Sequence, residues 1–130
     1  MKVFLSYALD DKDAARDFAK RLSKEGLDVW FDEWQLQPGD NWSKQVGRAL
    51  EQADAMVVLV TPEAMKSKGV RGEIEYALMT PRFEGTLIPV VLKPSDDMPW
   101  ILDRMAVQAG GNPAATVRKI VKSLHAKAVT

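Results

Sequence analysis

Apolar residues recur along the chain in two alternating rhythms. Four short, nearly continuous apolar runs read as strands: Lys2 to Tyr7 (KVFLSY), Leu27 to Phe31 (LDVWF), Ala55 to Thr61 (AMVVLVT) and Thr86 to Leu92 (TLIPVVL). The third and fourth are rich in β-branched residues and barely alternate, as expected of strands covered on both faces. Pro89 interrupts the fourth run and lacks an N–H, so it predicts a strand near an edge or one carrying a bulge. A fifth run, Met105 to Ala109 (MAVQA), is the weakest strand pattern. Between the runs the spacing changes to i, i+3, i+4, i+7. Ala15, Phe18, Ala19 and Leu22 show it after Asp10 and Asp11, which can cap a helix, and before Gly26, which can stop one. Val46, Ala49, Leu50 and Ala53 repeat it. Val117, Ile120, Val121 and Leu124 repeat it again after the start signal Asn112-Pro113.

Strands alternating with helices imply right-handed crossovers and a parallel sheet with helices on both faces. The pattern predicts an α/β, flavodoxin-like three-layer sandwich around a parallel five-stranded sheet of order 2-1-3-4-5. In such a sheet ligands bind beyond the carboxyl ends of the strands, where the order reverses around the first strand. Ser6-Tyr7-Ala8, the loop from Asp32 to Trp42 and the stretch after Thr61 should gather there.

Composition narrows the possibilities. A length of 130 residues, 46% hydrophobic and 28% charged, predicts one globular domain over residues 1–130. Formal net charge is zero, so no bulk field draws nucleic acid or an anionic membrane. Cysteine is absent, which removes disulfides, thiol nucleophiles and cysteine-based zinc sites. The lone histidine, His125, rules out a mechanism with two imidazoles and reads as an exposed bystander. No apolar run reaches the ~20 residues of a membrane span, and MKVFLSY is too short for a signal peptide. A cytoplasmic protein, or a domain cut from a larger one, is expected. No Gly-rich dinucleotide fingerprint follows the first strand and no P-loop is present. A phospho-receiver would need an aspartate after the third strand, where this chain has Thr61.

Two stretches carry candidate chemistry. In KGVRGEIEYAL, Lys68 to Leu78, a helical wheel puts Val70, Ile74, Ala77 and Leu78 on the core face. Glu75 points outward and reads as a solvated charge. Glu73 falls on the border, with one apolar wall and one open side. Position alone leaves two readings for it, an ordinary boundary glutamate or a carboxylate whose pKa and reactivity are tuned by partial burial. The second stretch is FDEWQLQPGDNW, Phe31 to Trp42, with a Pro38-Gly39-Asp40 turn signature. Trp34 and Trp42 are costly in a loop unless they pack or bind something. Each either staples the loop to the next helix or meets a ligand. Trp30, inside a strand, reads as core, and Trp100, after Met98-Pro99, as a cap on the sheet edge.

With FLSYA on the first strand, VWFDEWQLQPGD running into the next loop, VVLVTPEAMKS on the third strand and GEIEYAL on the helix after it, Val3 to about Leu92 resembles a bacterial Toll/interleukin receptor (TIR) domain. The resemblance implies two alternatives. One is an NAD+ glycohydrolase, in some members a cyclase, cutting the nicotinamide–ribose bond in anti-phage defence. The other is a non-catalytic module through which TIR domains associate and signal. The NAD-cleaving members carry their essential glutamate in a pattern like S-x-W-x-x-x-E, which here runs from Ser67 to Glu73 with Gly69 in place of the tryptophan. Glu73 is thereby implied as the catalytic residue. Ser6, Tyr7, Asp32, Trp34, Trp42 and Ser67 are implied around the substrate, with Tyr7 and Trp42 flanking nicotinamide and Asp32 orienting the loop. Gln37, Pro38, Gly39 and Asp40 are implied as the loop through which copies assemble, in oligomers or filaments that switch the enzyme on. The implied partners are NAD+ as substrate, further TIR copies and a sensor domain or protein. No metal or cofactor, nucleic acid or membrane is implied.

Overall fold

The computed structural model describes residues 1–129; Thr130 lies outside the described residues. Strands β1 (Lys2–Ser6), β2 (Asp28–Trp30), β3 (Ala55–Val60), β4 (Leu87–Val91) and β5 (Val107–Gln108) form one sheet in the order β2-β1-β3-β4-β5. All four pairings are parallel. The flavodoxin-like order read from the sequence is the observed one, and each strand begins and ends within two residues of its predicted limits. Helices α1 (Lys12–Lys24) and α7 (Pro113–Val129) cover one face. Helices α3 (Trp42–Gln52), α4 (Pro62–Lys66) and α5 (Lys68–Leu78) cover the other, with α6 (Trp100–Met105) leading into β5. A one-turn helix, α2 (Asp32–Gln35), follows β2.

Strand pleating divides the core into two clusters. Val3 and Leu5 of β1 pack with α1 and α7, while Phe4 packs with α3 and α5. The central strand β3 is buried at all six positions. Phe4 sits in register with Trp30 of β2. Their rings stack at 5.0 Å, so Trp30 contributes to the core while half-buried at its margin. The same alternation carried past the end of β1 sends Ser6 toward α5 and Tyr7 toward α1, which decides how the site is built.

Pro89 is accommodated by direction. The Leu92 N–H donates to Val60 of β3, and the Val91 carbonyl accepts from Ala109 on the β5 side. By alternation, the N–H that Pro89 lacks would point to the β5 side. Pairing with β5 begins only at Val90, so nothing is lost there. The strand is the second from the edge and regular through its pairing with β3.

Three expectations change. Leu78 is 44% exposed. The buried stripe of α5 is only Val70, Ile74 and Ala77 wide, and Leu78, one residue on in the last turn, is rotated out of it. Trp100 caps no edge; it opens α6 and is 72% exposed. Asp11 occupies the N-cap of α1, but its side chain makes no cap bond. Its carboxylate instead accepts from Thr61 Oγ1 at 2.5 Å, tying the β1–α1 turn to the end of β3.

Candidate active site

The carboxyl end of β1 supplies two adjacent hydroxyls aimed at opposite faces, and each meets an acid. Ser6, 1% exposed, donates from Oγ to Glu73 Oε1 at 2.7 Å across 67 residues of sequence. Ser67 sets this geometry indirectly. Its Oγ caps α5 by accepting from the Val70 N–H at 3.2 Å, fixing where the helix starts and hence which way Glu73 points. Glu73 lies beside the Val70–Ile74–Ala77 stripe, while Glu75 is exposed. Burial pushes the Glu73 carboxyl up to about 7; the Ser6 hydrogen bond pulls it back and the Asp32 charge adds to the rise. A carboxyl poised there holds both protonation states at neutral pH.

On the other face the Tyr7 hydroxyl donates to Asp32 Oδ1. The Tyr7 ring packs on Phe31 with centroids 5.5 Å apart. Burial first, then the hydrogen bond to Asp32, raises the phenol well above its ordinary range, so it stays a neutral donor. Asp32 thus accepts a hydrogen bond from Tyr7 while its charge acts on Glu73, the acid held by the preceding residue, Ser6.

A cleft of about 380 Å³ opens beside this pair. Tyr7 and Asp32 line it together with Leu9 and Lys12, Glu33 and Leu36 of the α2 region, the Gln37–Asp40 turn and Trp42. The turn is self-supporting. The Gln37 N–H donates to Asp40 Oδ2 at 2.8 Å, the Asp40 N–H donates to the Gln37 carbonyl at 3.0 Å, and Gly39 takes φ +91°. Helix α2 is clamped to α1 by a fork: Arg16 Nε and Nη2 donate to the two Glu33 oxygens at 2.8 and 2.6 Å. Trp42 opens α3, 57% exposed, with Asn41 capping behind it at 3.1 Å.

Ser6, Tyr7, Asp32 and Glu73 therefore come together, while Gln37, Pro38, Gly39, Asp40 and Trp42 line the adjoining cleft. Ser67 and Trp34 stand outside its wall. Ser67 is spent on capping, and Trp34 rests edge-on against Phe31 at 5.3 Å. One turn before Glu73, the position of Gly69 is open: an added Cβ would meet only Ser67 Oγ, at 3.8 Å. Sequence reasoning missed Lys12, Leu9 and the Arg16–Glu33 clamp. Arg16 and Glu33 are 17 residues apart and on different elements, so no helical spacing could have flagged the pair.

A doubly wound sheet with a cleft by the reversal of strand order, lined by Tyr7 and Asp32 and adjoined by the Ser6–Glu73 pair, defines a flavodoxin-like α/β protein. The family model for the TIR domain matches residues 3–124, and the chain belongs to that family. It is 28% identical over 129 residues to the 2′ cyclic ADP-D-ribose synthase BtTIR of Bacteroides thetaiotaomicron, covering 93% of this chain and 44% of that protein. It is 24% identical over 131 residues to the NAD(+) hydrolase PdTIR of Paracoccus denitrificans, covering 95% and 43%. The chain thus spans less than half the length of these curated relatives. Among solved structures, the TIR domain of the Toll-related receptor TRR-2 from Hydra magnipapillata superposes with TM-score 0.75 at 18% identity, covering 98% of each chain, a likeness of fold.

Proposed function

We propose that this TIR domain cleaves NAD+ at the nicotinamide–ribose bond. The observation that carries the reading is Glu73: a largely buried carboxyl, poised near neutrality, held by Ser6 at the crevice where this fold takes its ligands. Ordinary glycoside hydrolysis needs a second carboxyl to protonate the leaving oxygen. Nicotinamide needs none, because in NAD+ it is already a cationic pyridinium. When the C1′–N1 bond breaks, its electron pair neutralises the ring nitrogen. Positive charge moves to the ribose, where one carboxylate accepting from the ribose hydroxyls stabilises the oxocarbenium-like transition state. Water then bonds to C1′ and releases a proton to solvent, giving ADP-ribose; attack by a hydroxyl of the same molecule gives a cyclic product. Relatives named as NAD+ hydrolases and cyclic ADP-ribose synthases support the reading.

In this reading Tyr7 and Trp42 flank the nicotinamide, and Asp32, holding Tyr7, keeps the loop in place. No metal or further cofactor takes part. The turn Gln37–Asp40, exposed at the mouth of the cleft, is where a second copy docks in an oligomer or filament, so that activity depends on assembly. A sensor domain or partner would trigger that assembly in the cytoplasm during phage infection. The second reading, a non-catalytic TIR–TIR module, is favoured by one observation, Gly69 where an aromatic wall belongs.

The deciding experiment incubates purified protein with NAD+ across a wide range of protein concentration and measures nicotinamide, with Glu73→Ala as control. The hydrolase reading expects release that rises per molecule with concentration and disappears in the variant. No nicotinamide at any concentration would leave the module.

A further inference from the structure

The cleft carries an excess of acid, yet its proposed substrate is a diphosphate. Asp32, Glu33 and Asp40 line it against a single cation, Lys12. Formal net charge is zero, so no general field offsets that local imbalance. The acids are not equally free. Asp32 holds the Tyr7 hydroxyl, Asp40 holds the Gln37 N–H, and both oxygens of Glu33 are occupied by Arg16. The Arg16 clamp therefore cancels the charge of one acid. Lys12 lies one turn before Arg16 on the same face of α1, close enough for its charge to act on Glu33. Among the described residues its ammonium makes no hydrogen bond or ion pair.

We propose that Lys12 is the residue that selects for the diphosphate of the substrate, receiving its phosphate oxygens in the cleft it lines with Tyr7, Asp32 and Trp42. This rests on the NAD+ reading for the identity of the ligand, but it names a residue and a role that the reading does not contain. An ammonium is a compact charge with three donors, suited to phosphate oxygens without fixed geometry. Its position in the cleft, separate from the Ser6–Glu73 pair, means that it contributes to substrate binding and not to the bond-breaking step.

The test is equilibrium binding by calorimetry, using ADP-ribose, which keeps the diphosphate, and adenosine, which lacks it. Lys12 is exposed, so its replacement leaves the core untouched. Lys12→Gln should weaken ADP-ribose about three- to tenfold and leave adenosine unchanged, with the loss fading at high salt. Lys12→Arg should restore most of the affinity. Unchanged ADP-ribose affinity in Lys12→Gln would overturn the assignment. So would an equal loss for adenosine, or a wild-type protein that binds no ADP-ribose. The two claims fail separately. Lys12-dependent binding without nicotinamide release would sink the hydrolase and keep the subsite; release with no Lys12 effect would do the reverse.

Discussion

The two sides of the crevice are held by different kinds of force. On the α5 side, Ser6 and Glu73 meet at the edge of a packed core: Ser6 is 1% exposed, and Val70, Ile74 and Ala77 fix the helix behind Glu73. On the α2 side, Asp32, the Gln37–Asp40 turn and Trp42 rest on hydrogen bonds and one exposed ion fork, with the fully buried Phe31 as an anchor. Core packing tolerates little displacement, whereas exposed polar ties are individually weak and screened by salt. On the proposed function, the acid that needs a fixed, dry setting sits on the first side, and the wall that would admit and release a large substrate sits on the second.

The sharpest way to break the contrast is to remove the acid on the packed side. Glu73→Ala should lower nicotinamide release by about 10²–10³ while Glu75→Ala, exposed on the same helix, retains most of it. A folded Glu73 variant with wild-type turnover would end the catalytic assignment.

Proton linkage probes the same residue without substrate. The native Glu73 carboxyl titrates near 7 against 4.5 in its ordinary state. The folded protein therefore binds more protons than the unfolded chain across that window, and this group's contribution to stability falls as pH rises through it. Glu73→Gln keeps a neutral side chain at every pH. It should match wild type near pH 4 and exceed it above pH 8 by on the order of 1–3 kcal/mol, read by denaturant melts. Activity should run the opposite way, rising as pH passes through about 7 and the carboxylate forms. Identical pH–stability curves for wild type and Glu73→Gln would mean that the carboxyl is not buried as described.

On the polar side the effects should be smaller. Tyr7→Phe keeps the ring on Phe31 and deletes only the hydroxyl given to Asp32. A part-buried, charge-assisted bond of this kind is worth about 1–2 kcal/mol after allowing for solvent. Release should fall about tenfold, mostly through a higher KM. A fall confined to kcat would instead place the hydroxyl in the chemical step. The smallest effect expected is from Gly39→Ala. A left-handed φ of +91° costs a side chain on the order of 1 kcal/mol, here confined to an exposed turn. Stability should barely change, but the concentration dependence of specific activity should be blunted if that turn carries assembly. An unaltered dependence would move the contact elsewhere.

The amino-acid sequence by itself determined the layers and the strand order, and it put Tyr7 and the loop from Asp32 to Trp42 together, where a cleft lies. Short, nearly continuous apolar runs and a 3.6-residue helical period are local properties, and right-handed crossovers turn them into a nearly unique topology. It also put Glu73 on the border of a helix face, because that position depends only on spacing from Val70, Ile74 and Ala77. Leu78 and Trp100 went astray where the width of a buried stripe or the fate of an aromatic depends on what lies opposite. Only the tertiary structure decided the partners. That Ser6 reaches Glu73, that Asp11 holds Thr61 instead of capping its own helix, and that Arg16 forks onto Glu33 are pairings across 67, 50 and 17 residues. Polar side chains carry no periodic signal for such distances. Their pairing follows from where the packed core brings the strand ends and helix starts, and is fixed only once that core has formed.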